Sequence, residues 1–277
     1  VKPRRELLLL PMLLVLLLLV LLPQLLMFRV SLGRRTAFGG IERVLQAGNY
    51  ERALDPLYLA ILARSVWLAL LTTLLTLLVA YPVAYWIARV ASPARRSLLL
   101  ALIVLPFWTS FLVRMYAWMF LLRSEGPVNL ALDALGLPRL ELLYTPAAVL
   151  IGQVYGELPF MVLPLYVALE RLDASLLEAA ADLGASPARA LLRVTLPLTA
   201  PGIVAGCVLV FIPSLGAYLA PDLLGGARTV YMGSLIQSQF AVARDAPFGA
   251  ALSFVLSLLV LLLPVLLKRP LQQARLA

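Results

Sequence analysis

The sequence has no histidine, a single cysteine and only two lysines, and each scarcity removes a class of chemistry. Without histidine there is no His/Cys metal site, no cysteine–histidine nucleophile and no Ser–His triad. Cys207 has no partner in the chain and lies in an apolar run, where a thiol acts as small hydrophobic filler. Neither Lys2 nor Lys268 follows a glycine-rich segment, so the chain carries no Walker A phosphate cradle. Any ATP that drives this protein is therefore expected on another subunit. Charge is scarce as well. Only 13% of the 277 residues are charged and 62% are apolar, with a mean hydropathy of +0.97. A soluble domain carries about a quarter charged residues, so water is not the main solvent here. The net charge of +9 does not point to nucleic acid, because the arginines flank apolar runs instead of forming one basic face.

What the sequence does have is long apolar runs. We read spans near 7–28, 60–87, 97–122, 145–169, 201–220 and 247–267, each long enough to cross about 30 Å of hydrocarbon. The expected fold is an all-α polytopic membrane protein with about six transmembrane helices. The first run is read as a retained span and not a cleaved signal peptide. It is longer than a signal-peptide core and ends in Met27-Phe28-Arg29, not in a small-residue cleavage site. The organisation expected is a tail and first span over 1–28, an extracytoplasmic loop over 29–58, and a core of five spans over 59–277. The 29–58 loop contains Gly39-Gly40 and a short helix. An even span count places both termini on one side. That side holds twelve basic residues against nine on the other, among them Lys2, Arg4, Arg5, Arg269 and Arg275, which favours cytoplasmic termini.

The 170–200 loop is too large for a simple turn. Ser175 followed by Glu178 has the spacing of a capping box, in which hydroxyl and carboxylate each satisfy an orphan backbone N–H. An Ala/Leu run continues that helix, and Gly184 suits the left-handed residue that ends one. Ser186-Pro187 starts a second helix, and Pro197 is expected to stop it before the fifth span. Leu176, Leu177, Ala180 and Leu183 form an apolar stripe, and Glu178 with Asp182 an acidic edge. A small, apolar, well-capped helix in water suits docking to another protein.

At these residues a family resemblance appears. Glu178-Ala179-Ala180, then Gly184, then Val194-x-Leu196-Pro197 resembles the EAA signature of ABC importer permeases, with Val where Ile is usual. The resemblance implies a type I importer permease fold whose cytoplasmic coupling helix inserts into an ATPase subunit. Glu178, Ala179, Ala180, Asp182 and Gly184 are then the expected ATPase-coupling residues, within a loop at 173–197. Further stretches resemble the B-type permease of spermidine/putrescine importers. They are Asn49-Tyr50 through Asp55-Pro56-Leu57-Tyr58, Pro106-Phe107-Trp108-Thr109-Ser110, Leu158-Pro159-Phe160-Met161, Asp222 through Gly225-Gly226 to Arg228, and Arg244-Asp245 through Phe248-Gly249 to Ala251. The implied setting is a bacterial inner membrane. The implied partners are a second, C-type permease, an ATPase dimer carrying ATP and Mg, and a soluble binding protein.

A polyamine bears two or more ammonium groups, whose water must be replaced by carboxylates and aromatic faces. The candidates for the substrate pathway are Glu157, with Gln153 one turn away on the same face, and Asp222, one turn after Tyr218. Trp108, Tyr116 and Tyr155 are candidate aromatic surfaces, and Tyr218 is a further pathway candidate. Ionisable groups at such depth are functional candidates. The alternatives are a structural ion pair of Glu157 with Arg64 or Arg114, interfacial belts for the aromatics, and a turn-capping role for Asp222. Rival functions are a permease for another small solute, an ion-coupled secondary transporter, an intramembrane enzyme and a membrane scaffold. The secondary transporter calls for paired repeats that are not evident, the enzyme for a dyad the chain lacks, and the scaffold for no docking loop.

Overall fold

In the computed structural model, residues 3–36, 40–42, 44–226 and 229–273 are described, with side chains within 10–262. Lys2, Gly39, Arg228 and Arg275, and the side chains of Arg4, Arg5, Lys268 and Arg269, lie outside them. The chain begins with α1 (Pro3–Ser31), a hairpin of β1 (Arg34–Arg35) and β2 (Ile41–Glu42), and the short α2 (Gly48–Ala53). The strands pair antiparallel, Arg34 opposite Glu42. Helix α3 (Pro56–Tyr85) ends in a π-turn at Trp86–Val90. Helix α4 (Pro93–Val104) tightens into a 3-10 turn at Leu105–Trp108, followed by α5 (Phe111–Leu122) and α6 (Pro127–Ala134). Then come α7 (Pro146–Glu170), α8 (Ala174–Asp182) and α9 (Pro187–Ala190). A second π-turn at Leu191–Thr195 leads into α10 (Leu196–Gly216), α11 (Leu219–Gly225), α12 (Met232–Ala241) and α13 (Ala246–Gln273).

Four stretches are long and apolar enough to cross a membrane: Leu10–Ser31, Pro56–Val90, Pro146–Glu170 and Pro187–Gly216. The bent pair Pro93–Trp108 and Phe111–Ala134 makes a fifth, and α13 supplies a shorter apolar stretch, Ala246–Leu262, where the sixth is expected.

One expectation is refined here and one corrected. The third span, expected near 97–122, is bent: its two arms meet at 93°. Thr109 and Ser110 leave helical geometry, with ψ of 152° and 135°. The carbonyl of Pro106 instead accepts from the Thr109 N–H at 3.2 Å, the Thr109 hydroxyl at 2.6 Å and Arg114 Nη1 at 2.8 Å. Donors that reach back to one carbonyl end the helix there, and the Arg114 guanidinium covers the Phe107 ring 4.4 Å from its centroid. The correction concerns Pro197, which does not stop a helix. Helix α9, the π-turn and α10 run on as one rod from Pro187 to Gly216. A proline ring clashes with the carbonyl four residues back and offers no N–H. The wide π-turn just before it absorbs both defects, and Leu196 bonds five residues back to Leu191.

The chain divides into two compact units. One comprises 1–62 with 235–264. In it, α1 exposes every side chain from Leu10 to Leu26, as a helix facing lipid or another chain does. Only its last turns are held. The Ser31 hydroxyl shares a 2.6 Å hydrogen bond with Tyr50, and Asn49 Nδ2 donates to the carbonyls of Ser31 and Gly33, each at 2.8 Å.

The other unit comprises 63–234 with 265–277. Lipid tails are as apolar as leucine, so helices there associate through close packing and interhelical hydrogen bonds. Helices α7 and α10 pack closely through Gly202 and Gly206. A Cβ on Gly202 would overlap Ala168 and come within 2.9 Å of the Pro164 carbonyl, and one on Gly206 would meet the Met161 sulfur at 2.6 Å. Helices α3 and α7 run parallel, joined by Thr72–Gln153 midway and by Arg89 with the Leu172 carbonyl at one end. The numbering offset of 81 between Thr72 and Gln153 also relates Ala80, Ala84 and Ala88 to Met161, Leu165 and Leu169 of one buried cluster. Small residues on α3 thus accommodate large ones on α7, and the register of the two helices is fixed.

Candidate functional site

The EAA loop is built from local rules. Its first helix, α8, is capped two residues earlier than the expected capping box. Asp173, not Ser175, is the N-cap, and its Oδ1 accepts from the Ser175 N–H at 3.0 Å. Ser175 lies inside the helix, so the Ser175–Glu178 box does not form. A carboxylate accepts from the orphan N–H groups as well as a hydroxyl does. The Ser175 N–H, with a smaller contribution from the charge of Arg89, holds the Asp173 carboxyl below its ordinary range.

Helix α8 ends as expected. The Gly184 N–H donates to Ala181 O at 2.8 Å and the Ala185 N–H to Ala180 O at 3.0 Å, the bond pair of a Schellman motif. Gly184 has φ +76°, and a Cβ there would meet nothing within 4 Å. The constraint on this residue is therefore conformational, not steric. Ser186 Oγ then accepts from the Arg189 N–H at 3.4 Å, with Pro187 opening α9.

Of the five expected coupling residues, Glu178, Ala179, Asp182 and Gly184 are exposed and Ala180 is buried. The expected apolar stripe is split. Ala180 turns inward and Leu177 is half-buried, while Leu176 is 44% exposed and Leu183 89%. The outward face thus presents two leucines beside two carboxylates.

The six candidate pathway residues are not drawn into one cluster. Trp108 is 84% exposed at the bend before α5, and Tyr116 is exposed on α5. The Tyr155 ring stands edge-on to Trp118, centroids 5.6 Å apart. Tyr218 precedes α11 and Asp222 sits exposed one turn on, its N–H bonded to the Tyr218 carbonyl at 2.9 Å. That helix therefore tolerates Pro221. Glu157 is half-buried on α7, with Oε2 enclosed and without a hydrogen-bond partner. Among the described residues, no side-chain hydrogen bond, ion pair or ring stack joins any two of the six. The alternative of a structural pair is not formed either, since neither Arg64 nor Arg114 bridges to Glu157. Arg114 is engaged at Pro106.

Sequence reasoning missed one constellation. Arg52 of α2 donates to Asp245 at 2.9 Å, lies 3.8 Å from the centroid of the Phe248 ring and reaches the Tyr58 hydroxyl at 3.3 Å. Asp245 in turn accepts from the Phe248 N–H at 3.3 Å, capping α13. Asp55 caps α3 through the Leu57 N–H at 2.9 Å. The stretches 49–58 and 244–251, noticed separately, are two halves of one tie. Their common appearance in the resemblance was the one signal that linked them.

Helices of spanning length, a membrane-apolar composition and an exposed, doubly capped loop between two spans define a polytopic integral membrane protein. The family follows from the sequence itself. Residues 80–275 match the model of the binding-protein-dependent transport system inner membrane component, and the chain belongs to that family. It is 43% identical over 241 residues to the spermidine/putrescine transport system permease protein PotB of Escherichia coli (strain K12), covering 86% of this chain and 87% of that one. Among solved structures, a bacterial ABC transporter that imports the acidic polysaccharide alginate matches with a TM-score of 0.76 at 18% identity, covering 98% of this chain and 96% of the other. The same kind of transporter in complex with an alginate pentasaccharide-bound periplasmic protein matches with a TM-score of 0.69 at 18% identity, covering 96% of each chain. At that identity the structures establish the fold alone.

Proposed function

We propose that this chain is the permease subunit of an ATP-driven importer for polyamines and supplies half of the transmembrane pathway. The observation that carries the reading is the 43% identity to a spermidine/putrescine permease across 86% of the chain, in a sequence that also bears the EAA loop. A second, C-type permease completes the pathway, two ATPase subunits bind ATP and Mg, and a soluble binding protein delivers substrate. The chain itself hydrolyses nothing. It sits in a bacterial inner membrane with its termini and the 173–197 loop on the cytoplasmic side. Glu178, Ala179, Asp182 and Gly184 face outward and meet the ATPase, while Ala180 anchors the helix to the loop behind it.

Coupling follows from the way the loop is joined. ATP binding closes the ATPase pair and displaces α8. The displacement passes through Gly184 into the α9–α10 rod, and from α10 into α7 through the Gly202 and Gly206 contacts. Loaded binding protein must favour the same state that ATP favours, because coupling between sites is reciprocal.

The test is uptake of labelled spermidine and putrescine into vesicles containing the chain and its partners. ATP-dependent uptake that needs the binding protein is the expected result. Uptake driven by an ion gradient without ATP would replace this reading with a secondary transporter. ATP-dependent uptake of another solute, with polyamines ignored, would keep the permease and discard the substrate.

A further inference from the structure

The α3–α7 seam carries polar groups that the fold leaves unfinished. Among the described residues, seven enclosed side-chain nitrogen or oxygen atoms have no hydrogen-bond partner. Three of them, Thr76 Oγ1, Gln153 Nε2 and Glu157 Oε2, lie on α3 and α7. Thr76 has no exposed surface and Gln153 is 3% exposed. An enclosed polar group left unmet costs about 1–3 kcal/mol, more when it is charged.

Register brings these groups to adjacent levels. Thr72 Oγ1 donates to Gln153 Oε1 at 2.8 Å. Extending the offset of 81 by one turn assigns Thr76 and Glu157 to the next level. The level after that is closed by Ala80 and Met161, both fully buried. The polar stretch of the seam thus ends there, and Glu157 is its half-buried member. Among the described residues no arginine pairs with Glu157, a carboxylate on a spanning helix.

The geometry points to a notch for a primary ammonium group, formed by Glu157, Thr76 and Gln153. It rests on the polyamine reading above and deepens it, adding Thr76 and Gln153 as specificity-determining residues. An ammonium has three N–H donors and no acceptor. The Glu157 carboxylate neutralises it and takes one donor, and the Thr76 hydroxyl takes the second. Rotating the Gln153 amide by 180° exchanges its nitrogen and oxygen without a change of shape. Nε2 then donates to Thr72, and Oε1 turns to take the third. All three orphaned groups and the missing counter-charge are met by one ligand. A neutral hydroxyl of a sugar meets none of the charge.

The experiment uses the complete transporter in proteoliposomes, with putrescine as probe. The readout is putrescine delivered per ATP hydrolysed, because a defect of assembly removes delivery and hydrolysis together and leaves the ratio alone. Glu157→Gln and Thr76→Val are expected to lower the ratio about tenfold, the loss of one hydrogen bond to a charged group. Thr76→Ser, which keeps the hydroxyl, is expected to restore it. Wild-type ratios in Glu157→Gln and Thr76→Val would overturn the notch and leave the polyamine reading standing. A Thr76→Ser variant no better than Thr76→Val would remove Thr76 from it. Failure of the unmodified transporter to deliver putrescine or spermidine would remove both.

Discussion

The loop between α7 and α10 and the segment around α2 each present a short helix outside the spans, but they are held by opposite means. Helix α8 is defined within about a dozen residues of itself: Asp173 begins it, the Gly184 turn ends it, and Ser186 begins the next. Helix α2 has no side-chain cap at all, and its fixed points are Ser31 and Gly33, 16 to 19 residues away, and Asp245, 193 residues away. A locally capped helix keeps its shape when the surrounding protein moves. A helix held by distant partners keeps its place instead. An element that must carry motion suits the first arrangement, and one that must hold station suits the second.

Substitutions can break this contrast, and the largest stability effect is expected in the distant tie. Asp245→Ala removes the partner of Arg52 and the cap of α13 together. Buried pairs broken on one side lose several kcal/mol, but Arg52 is about half exposed, so about 2 kcal/mol is expected. A fall in the thermal midpoint of the purified chain in detergent would measure it. Gly184→Val comes next. A β-branched residue at φ +76° is strained by about 1–2 kcal/mol, with no steric clash to add. Its functional effect is expected to exceed its stability effect: insertion into the membrane stays intact while ATP hydrolysis is uncoupled from uptake. Normal uptake in this variant would show that the turn carries nothing.

Arg52→Lys sharpens the comparison at a smaller scale. A single ammonium cannot stack on Phe248 and serve both Asp245 and Tyr58, so about 1 kcal/mol is expected. A double-mutant cycle with Asp245→Asn would measure the shared part. The smallest effect belongs to Asp173. Its carboxyl titrates below the ordinary range, so the cap contributes fully above the ordinary pKa. That contribution is lost as the pH falls through the lower, folded-state value. Amide exchange over the first turn of α8 should therefore accelerate in acid in the wild type. In Asp173→Ala it should be fast and insensitive to pH in that window.

Local chemistry was legible in the sequence and distant chemistry was not. Gly184 and Ser186-Pro187 were readable because their signals lie within four residues of what they cap. The start of α8 was misread because Asp173 and Ser175 are both good caps, two residues apart, and only the fold chooses between them. Pro197 was misread because a proline signals a break, while the π-turn that accommodates it has no sequence signature. The bend at Thr109–Ser110 lies inside a run that is apolar on average, and the arginine that stabilises it comes from the following helix. For the pathway, Gln153 and Glu157 on one face of α7 were readable from spacing alone. Their neighbours Thr72 and Thr76 were not, because nothing in either run sets the offset between the two helices.

The π-turn at Leu191–Thr195 has a consequence for the direction in which the loop points. A π-turn is an α-helix carrying one extra residue, and one residue turns an α-helix by about 100°. The compass bearing of Glu178 and its neighbours about the α10 axis is therefore set by that single surplus residue. Deleting one residue between Leu191 and Thr195 would swing the intact loop to a different face of the rod while leaving its own sequence and caps untouched. Between related permeases, aim can change by the gain or loss of one codon.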